Sequence, residues 1–157
     1  MVLYAIVRIR GTVDIPRDVE YALRLLRLVR PFHTVIYSKS PSLDGVLEVV
    51  KDWITWGEID KEVLKMLITK RGRLVGGRPI SDEDIKKIFG MNSVNELVDA
   101  LYEERIQWHH YDRYVKPIFR LHPPTGGFKR STKKPYGSGG ELGYRGHEIN
   151  SFLTRLI

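Results

Sequence analysis

The chain has 157 residues, 42% of them hydrophobic and 29% charged, and its 26 Lys+Arg outweigh 19 Asp+Glu for a formal net charge of +7. That length suits one domain with an appendage, and the absence of cysteine excludes disulfide scaffolds, thiol catalysis, zinc knuckles and Cys-held clusters. The longest apolar run, Val2 to Val7, falls far short of the roughly 20 residues of a membrane helix, so a soluble, cytoplasmic protein is expected.

In chain order, Val2 to Ile9 reads as a strand buried on one face by Leu3, Ala5, Val7 and Ile9. Arg8 and Arg10 share the opposite face with Tyr4 and Ile6, which is the exposed side of a one-sided sheet and so within reach of nucleic acid. Pro16 suits the first position of a helix whose stripe is Val19, Ala22, Leu23 and Leu26, ending near Leu28. Phe32 to Lys39 is β-branched and aromatic, a second strand. Ser40, Pro41 and Ser42 open a second helix with the stripe Leu43, Val46, Leu47 and Val50, and Trp53 to Glu58 makes a third strand. Trp53 and Trp56 are an odd number of residues apart, which gives each sheet face a tryptophan for core packing.

Residues 1–58 therefore read β-α-β-α-β, an α+β core domain in which two helices with equivalent stripes cover one face of a small sheet. Residues 59–157 form an extension. Its first part, 60–104, holds short helices: Asp60 caps one with Val63, Leu64, Leu67 and Ile68, Gly76-Gly77 makes a hairpin turn, and the pairs Ser81/Asp84 and Ser93/Glu96 announce two more through capping boxes.

The second part, 105–157, is different in kind. Up to Glu104 basic and acidic residues cancel at 16 each, whereas from Arg105 onward 10 basic residues face only Asp112, Glu141 and Glu148. Lys and Arg gather where phosphate charge is neutralised and counterions are released, so this asymmetry is the footprint of a polyanion-binding segment. Tyr114 to Gly146 carries four of the eight prolines and seven of the fourteen glycines. Its aromatics are too many for a solvated tail, which makes it an extended segment ordered on the domain or on a partner. Ile149 to Ile157 closes the chain as a short helix or strand.

The sharpest constellation is Arg120 to Gly146, RLHPPTGGFKRSTKKPYGSGGELGYRG. Glycine and proline let backbone approach a phosphate surface, Arg120, Lys129, Arg130, Lys133, Lys134 and Arg145 supply charge, and His122, Phe128 and Tyr136 can stack on unpaired bases. The competing explanation is a solvated basic face, which the coincidence of charge, lost periodicity and aromatics weighs against. Gly137 to Gly143 fits neither a dinucleotide fingerprint nor a phosphate loop. His109-His110 point apart on any regular element and no ligand set completes a metal site, so no metal and no cofactor are expected. Asp112 is read as a solvated partner of Arg113, and Asp82, Glu83 and Asp84 are explained by the dipole of the helix they open. No nucleophile and base pair is recognisable, so no catalytic residue and no enzyme activity are expected.

Together VRIRG at Val7 to Gly11, HTVIY at His33 to Tyr37, SPSLDGVLEVV, WGEI, RLHPPTGGFKR and GGELGYRG resemble the large-subunit ribosomal protein L-thirty family. Its bacterial members consist of little more than the β-α-β-α-β core, and the extension looks like that of the archaeal branch, related to the eukaryotic L-seven proteins. The resemblance implies a core similar to the ferredoxin-like fold, a three-stranded antiparallel sheet with two helices on one face. It implies a structural constituent of the large ribosomal subunit that binds ribosomal RNA, with the small accessory ribosomal RNA and neighbouring large-subunit proteins as further partners. The protein would then be monomeric within the ribosome, in the cytoplasm, with no membrane contact.

Two rival readings use the same residues. A stand-alone RNA-binding or RNA-processing factor would need the same cations and aromatics. A small-molecule or acyl-phosphate-binding α+β domain would hold an anion on Arg8 or Arg10, and would leave the extension without a purpose.

Overall fold

The computed structural model describes residues 2–157. Strand β1 (Leu3–Arg8) lies between β2 (His33–Ser38) and β3 (Ile54–Glu58), antiparallel to both, with Ile6 opposite Val35 on one side and Trp56 on the other. Helices α1 (Arg17–Leu25) and α2 (Pro41–Val50) make the two crossovers. Ser40 starts α2 by accepting the Leu43 N–H on its side chain at 3.1 Å. The expected β-α-β-α-β order is thus present.

The sheet does not stop at three strands. The extension supplies α3 (Lys61–Arg71), α4 (Asp82–Phe89), α5 (Val94–Tyr102), β4 (Phe119–Arg120), β5 (Ser131–Pro135), β6 (Gly140–Tyr144) and α6 (Ile149–Leu156). The order across the sheet is β4-β2-β1-β3-β6-β5, six strands, with β4 antiparallel to β2, and β6 parallel to both β3 and β5. The sheet is therefore mixed, with extension strands on both edges.

Both faces of β1 are buried. Tyr4 and Ile6 pack with Val35 and Ile54 under the α1/α2 stripes of Val19, Leu23, Leu26, Leu43, Leu47 and Val50. Leu3, Ala5, Val7, Ile9 and Ile36 face a larger cluster built by the extension, with Leu64, Leu67 and Ile68 of α3, Leu97 and Leu101 of α5, Trp108, Phe119, and Phe152 and Leu153 of α6. This corrects the expected one-sided sheet: the helices of residues 1–58 cover the Tyr4/Ile6 face, and the opposite face is covered by the extension. A near-continuous apolar run is what two-sided burial requires. Trp53 and Trp56 likewise pack on the same cluster, because Trp53 precedes the strand and does not obey its alternation.

Close backbone approach fixes the junction of β3 with the extension. A Cβ on Gly57 would collide with the main-chain carbonyl of Gly146, so only glycine fits there. Of the expected caps, Ser81 and Asp84 form the full box, while Ser93 accepts from the Glu96 N–H and the Glu96 carboxylate accepts from the Asn92 N–H instead of that of Ser93. Asp60 stands before α3 without a side-chain capping bond; its main-chain N–H donates to Asn150 Oδ1 at 2.8 Å. Gly76 and Gly77 turn a minimal hairpin at φ +105° and +94°, with Leu74 N–H donating to the Arg78 carbonyl at 2.7 Å.

Candidate nucleic-acid interface

The basic segment is an ordered part of the fold. The Pro123 to Gly127 loop is tied to the end of α6: Thr125 N–H donates to the Arg155 carbonyl at 2.9 Å, and the Arg155 guanidinium donates back to the carbonyls of Thr125 and Gly127. His122 N–H donates to the Leu156 carbonyl at 3.3 Å, leaving the imidazole exposed with Nδ1 2.8 Å from the Pro123 carbonyl oxygen. The chain then runs into β5 at one edge of the sheet.

Lys129, Arg130, Lys133 and Lys134 are all exposed along this path. Among the described residues none of the four has a carboxylate within ion-pair distance; the ion pairs that form lie elsewhere. Arg120, also exposed and also without an acid, sits on β4 at the opposite edge, in register with His33. Burial first, then the cations Arg120, Arg30 and Arg8, hold the His33 imidazole below its ordinary range, a sign of how positive this edge is.

Other members of the expected set face inward. Phe128 is half-buried and its ring is 6.1 Å from Phe32 and 6.4 Å from Phe152, stacked on both, so it anchors the segment to the core. Tyr136 has the guanidiniums of Arg130 and Arg145 at 4.5 and 4.9 Å from its ring centroid, and Arg130 Nη1 donates to the Tyr136 carbonyl at 3.2 Å. Arg145 is 7% exposed; its Nε donates to Thr55 Oγ1 at 2.7 Å, its Nη2 lies 3.7 Å from the Glu141 carboxylate, and its guanidinium is 4.2 Å from the Phe152 ring centroid. Burial lowers its pKa and Glu141 opposes that.

Arg8 corrects the expectation of an exposed strand face. It is 2% exposed, donating from Nε to the Arg10 carbonyl and from Nη1 to the carbonyls of Leu28 and Val29 at 2.9 and 2.8 Å. It closes the α1 end of the core and offers no open anion site. Arg10 is half-buried, 4.9 Å over the Trp53 ring. Asp112 pairs with Arg27 at 3.1 Å and not with Arg113. His109 and His110 touch ring to ring at 4.5 Å, and among the described residues no group of three or more His, Cys, Asp or Glu could hold a metal ion.

One cluster escaped the sequence reading. Arg71, Arg73, Lys116 and Arg120 line a cavity of about 210 Å³ together with Gly77 and Ile118. Arg71 ends α3 and Arg73 follows two positions on, beyond the Gly72 cap, and because acids elsewhere in residues 1–104 balance their charge, composition does not single them out.

The β-α-β-α-β segment matches the family model described as Ribosomal protein L30p/L7e over residues 4–54. The likeness extends well beyond it. The chain is 52% identical to the large ribosomal subunit protein uL30 of Staphylothermus marinus, covering 99% of this chain and 98% of that protein. It is 45% identical to the protein of that name in Aeropyrum pernix over the whole of both chains, and 43% identical to the one in Saccharolobus solfataricus over 99% and 98%. Overall identity of that order in matches that span the extension as well as the core makes the chain a member of the uL30 family.

Proposed function

We propose that the protein is a structural constituent of the large ribosomal subunit that binds ribosomal RNA and stabilises its fold, with no enzyme activity of its own. The observation that carries this reading is the row Lys129, Arg130, Lys133 and Lys134, exposed, without carboxylate partners among the described residues, and held on an ordered segment. A flexible basic tail would lose ordering entropy on binding, whereas these cations are presented already positioned. His122 belongs with them as an RNA contact, and Arg120 adds another from β4 at the opposite edge of the sheet. Phe128, Tyr136, Arg145 and Arg10 serve RNA binding by holding the segment and sheet edge in place, and Arg8 is assigned to the core.

The β2-β1-β3 triplet with α1 and α2 on one face supports the ferredoxin-like similarity of the 1–58 unit, to which 59–157 adds the RNA-facing edges. Exposed apolar residues Val13, Tyr21, Leu25 and Val49 suit contacts with neighbouring large-subunit proteins, and the small accessory ribosomal RNA is a further candidate partner. One copy per subunit suffices for such a role, located in cytoplasmic ribosomes. Sedimentation through high-salt gradients tests the reading: a constituent stays with the large subunit, while a stand-alone RNA-binding or processing factor washes off.

A further inference from the structure

The geometry points to a second RNA site, apart from the Lys129–Lys134 row: the cleft of Arg71, Arg73, Lys116 and Arg120 grips a backbone phosphate while the exposed Tyr114, two positions before Lys116 on the same outer face, stacks on an adjacent base. This rests on the RNA-binding function proposed above and adds a site at the other edge of the molecule.

The local backbone dictates the arrangement. Residues 73–75 and 114–116 run antiparallel, with Leu74 opposite Val115, Val75 N–H donating to the Tyr114 carbonyl at 2.9 Å and Lys116 N–H to the Arg73 carbonyl at 2.8 Å. Leu74 and Val115 turn inward, at 7% and 0% exposure. Strand alternation therefore turns Arg73, Val75, Tyr114 and Lys116 to the outer side. Two cations and an aromatic-aliphatic pair, Tyr114 at 55% and Val75 at 58% exposure, end up next to one another on the surface. Arg71, from the end of α3, and Arg120, from the edge strand β4, converge on the same cavity.

Four cations around one cavity repel each other, and among the described residues no Asp or Glu forms an ion pair with any of them. Arg71 Nη2 donates to the Ile157 main-chain oxygen at 2.9 Å and Arg73 Nη1 to the carbonyls of Lys70 and Gly72, which holds these two guanidiniums in place at the cleft. Among the described residues no protein group accepts a hydrogen bond from the side chain of Lys116 or Arg120, and both heads face the cleft. The cavity of about 210 Å³ compares with about 30 Å³ per water molecule, which leaves room for a phosphate and a few waters. A solvent-exposed tyrosine beside a phosphate-sized cationic cleft is the combination that single-stranded nucleic acid uses, charge for the backbone and a π-face for the base.

Placement gives the site its consequence. The cleft includes β4 at one edge of the sheet and Lys133 and Lys134 lie on β5 at the other, with six strands in the sheet. Strands spaced about 4.8 Å apart put those edges about 24 Å from one another. One molecule therefore touches RNA at two separated points and fixes the distance between them.

Filter binding of the full chain to deproteinised large-subunit ribosomal RNA of Staphylothermus marinus, across a salt series, tests the site. The double variant Lys116→Gln/Arg120→Gln should lower the slope of log K against log salt by about 0.7–0.9, the value for the one phosphate the cleft holds. Arg120→Lys should retain the slope. Tyr114→Ala should weaken binding by about 5- to 150-fold with the slope unchanged, the usual range for one stacked base. Because the two sites share no neighbours, the slope losses of the double variant and of a Lys129, Arg130, Lys133 and Lys134 variant should add. Melting temperatures of Lys116→Gln/Arg120→Gln and Tyr114→Ala should match the unaltered protein, since neither side chain supports the core. An unchanged slope in the double variant with the other four cations still effective overturns this site alone. Inorganic phosphate bound in the cleft at millimolar concentration, with RNA affinity untouched by the variants, also overturns it, by making the cleft a small-anion site. If the unaltered chain binds this RNA no better than an unrelated RNA of equal length, the proposed function falls and this site with it.

Discussion

Arg145 at the end of β6 reaches back 90 residues to Thr55 on β3, donating from Nε to Oγ1 at 2.7 Å inside the protein. Thr55 Oγ1 in turn donates to the Gly143 carbonyl at 2.8 Å, so one buried pair stitches the parallel strand of the extension to the β-α-β-α-β unit. Truncating Arg145 to Ala leaves the buried Glu141 carboxylate without its partner, a loss of about 3–5 kcal/mol. Denaturant melts check this. A drop of that size with an unchanged salt dependence of RNA binding shows that Arg145 acts through the fold, and a changed slope with full stability shows the reverse.

Leu23 and Leu47 sit at 0% and 1% exposure under the Tyr4/Ile6 face. Either one changed to Ala should destabilise by about 2–5 kcal/mol through lost burial and cavity formation. A loss below about 0.5 kcal/mol, the range of ordinary surface changes, contradicts the assignment of that face.

Gly57 admits no side chain against the Gly146 carbonyl. Gly57→Ala should therefore push β3 from the turn that precedes α6 and lower the melting temperature by several degrees, since about 1 kcal/mol corresponds to roughly 2–4 °C in a domain of this size. An unchanged melt means the two backbones are not in contact.

Tyr144 donates its hydroxyl proton to the Glu58 carboxylate, and this bond, followed by burial and the Glu58 charge, pushes its pKa from 10.0 up to about 12. The folded state holds that proton more tightly than the unfolded chain. The pair's contribution is therefore fully present below pH 10 and is lost as pH rises toward 12. Burial also raises the pKa of Tyr4 and of Tyr37, so spectrophotometric titration of the tyrosines should show several late groups, of which Glu58→Gln should return one, Tyr144, toward the ordinary range. A titration unaffected by Glu58→Gln contradicts the bond.

The element order of the first 58 residues was readable because each step has its own local signal: the stripe from Val19 to Leu26, Pro41 at the start of α2, the β-branched run of β2. The second face of β1 was not readable. Tyr4 and Ile6 are as apolar as Leu3 and Ala5, and an apolar run says that a strand is buried without saying what covers each side. The residues of the interface divide the same way. Lys129 to Lys134 stood out through a local imbalance of charge, and they are exposed. Phe128 and Arg145 carry the composition of nucleic-acid contacts and are held by Phe32, Phe152 and Thr55, partners 24 to 96 positions away that no local pattern names. Arg71 and Arg73 meet Lys116 and Arg120 only through the tertiary fold.

RNA binding through the basic segment is tested most directly by the salt dependence of binding to large-subunit ribosomal RNA for the chain with Lys129, Arg130, Lys133 and Lys134 all changed to Ala. The slope of log K against log salt should fall by about 3, with the affinity loss largest at low salt and shrinking as screening grows. An unchanged slope, in a variant that melts like the unaltered protein, would mean that these four cations are a solvated face and that the RNA is held elsewhere.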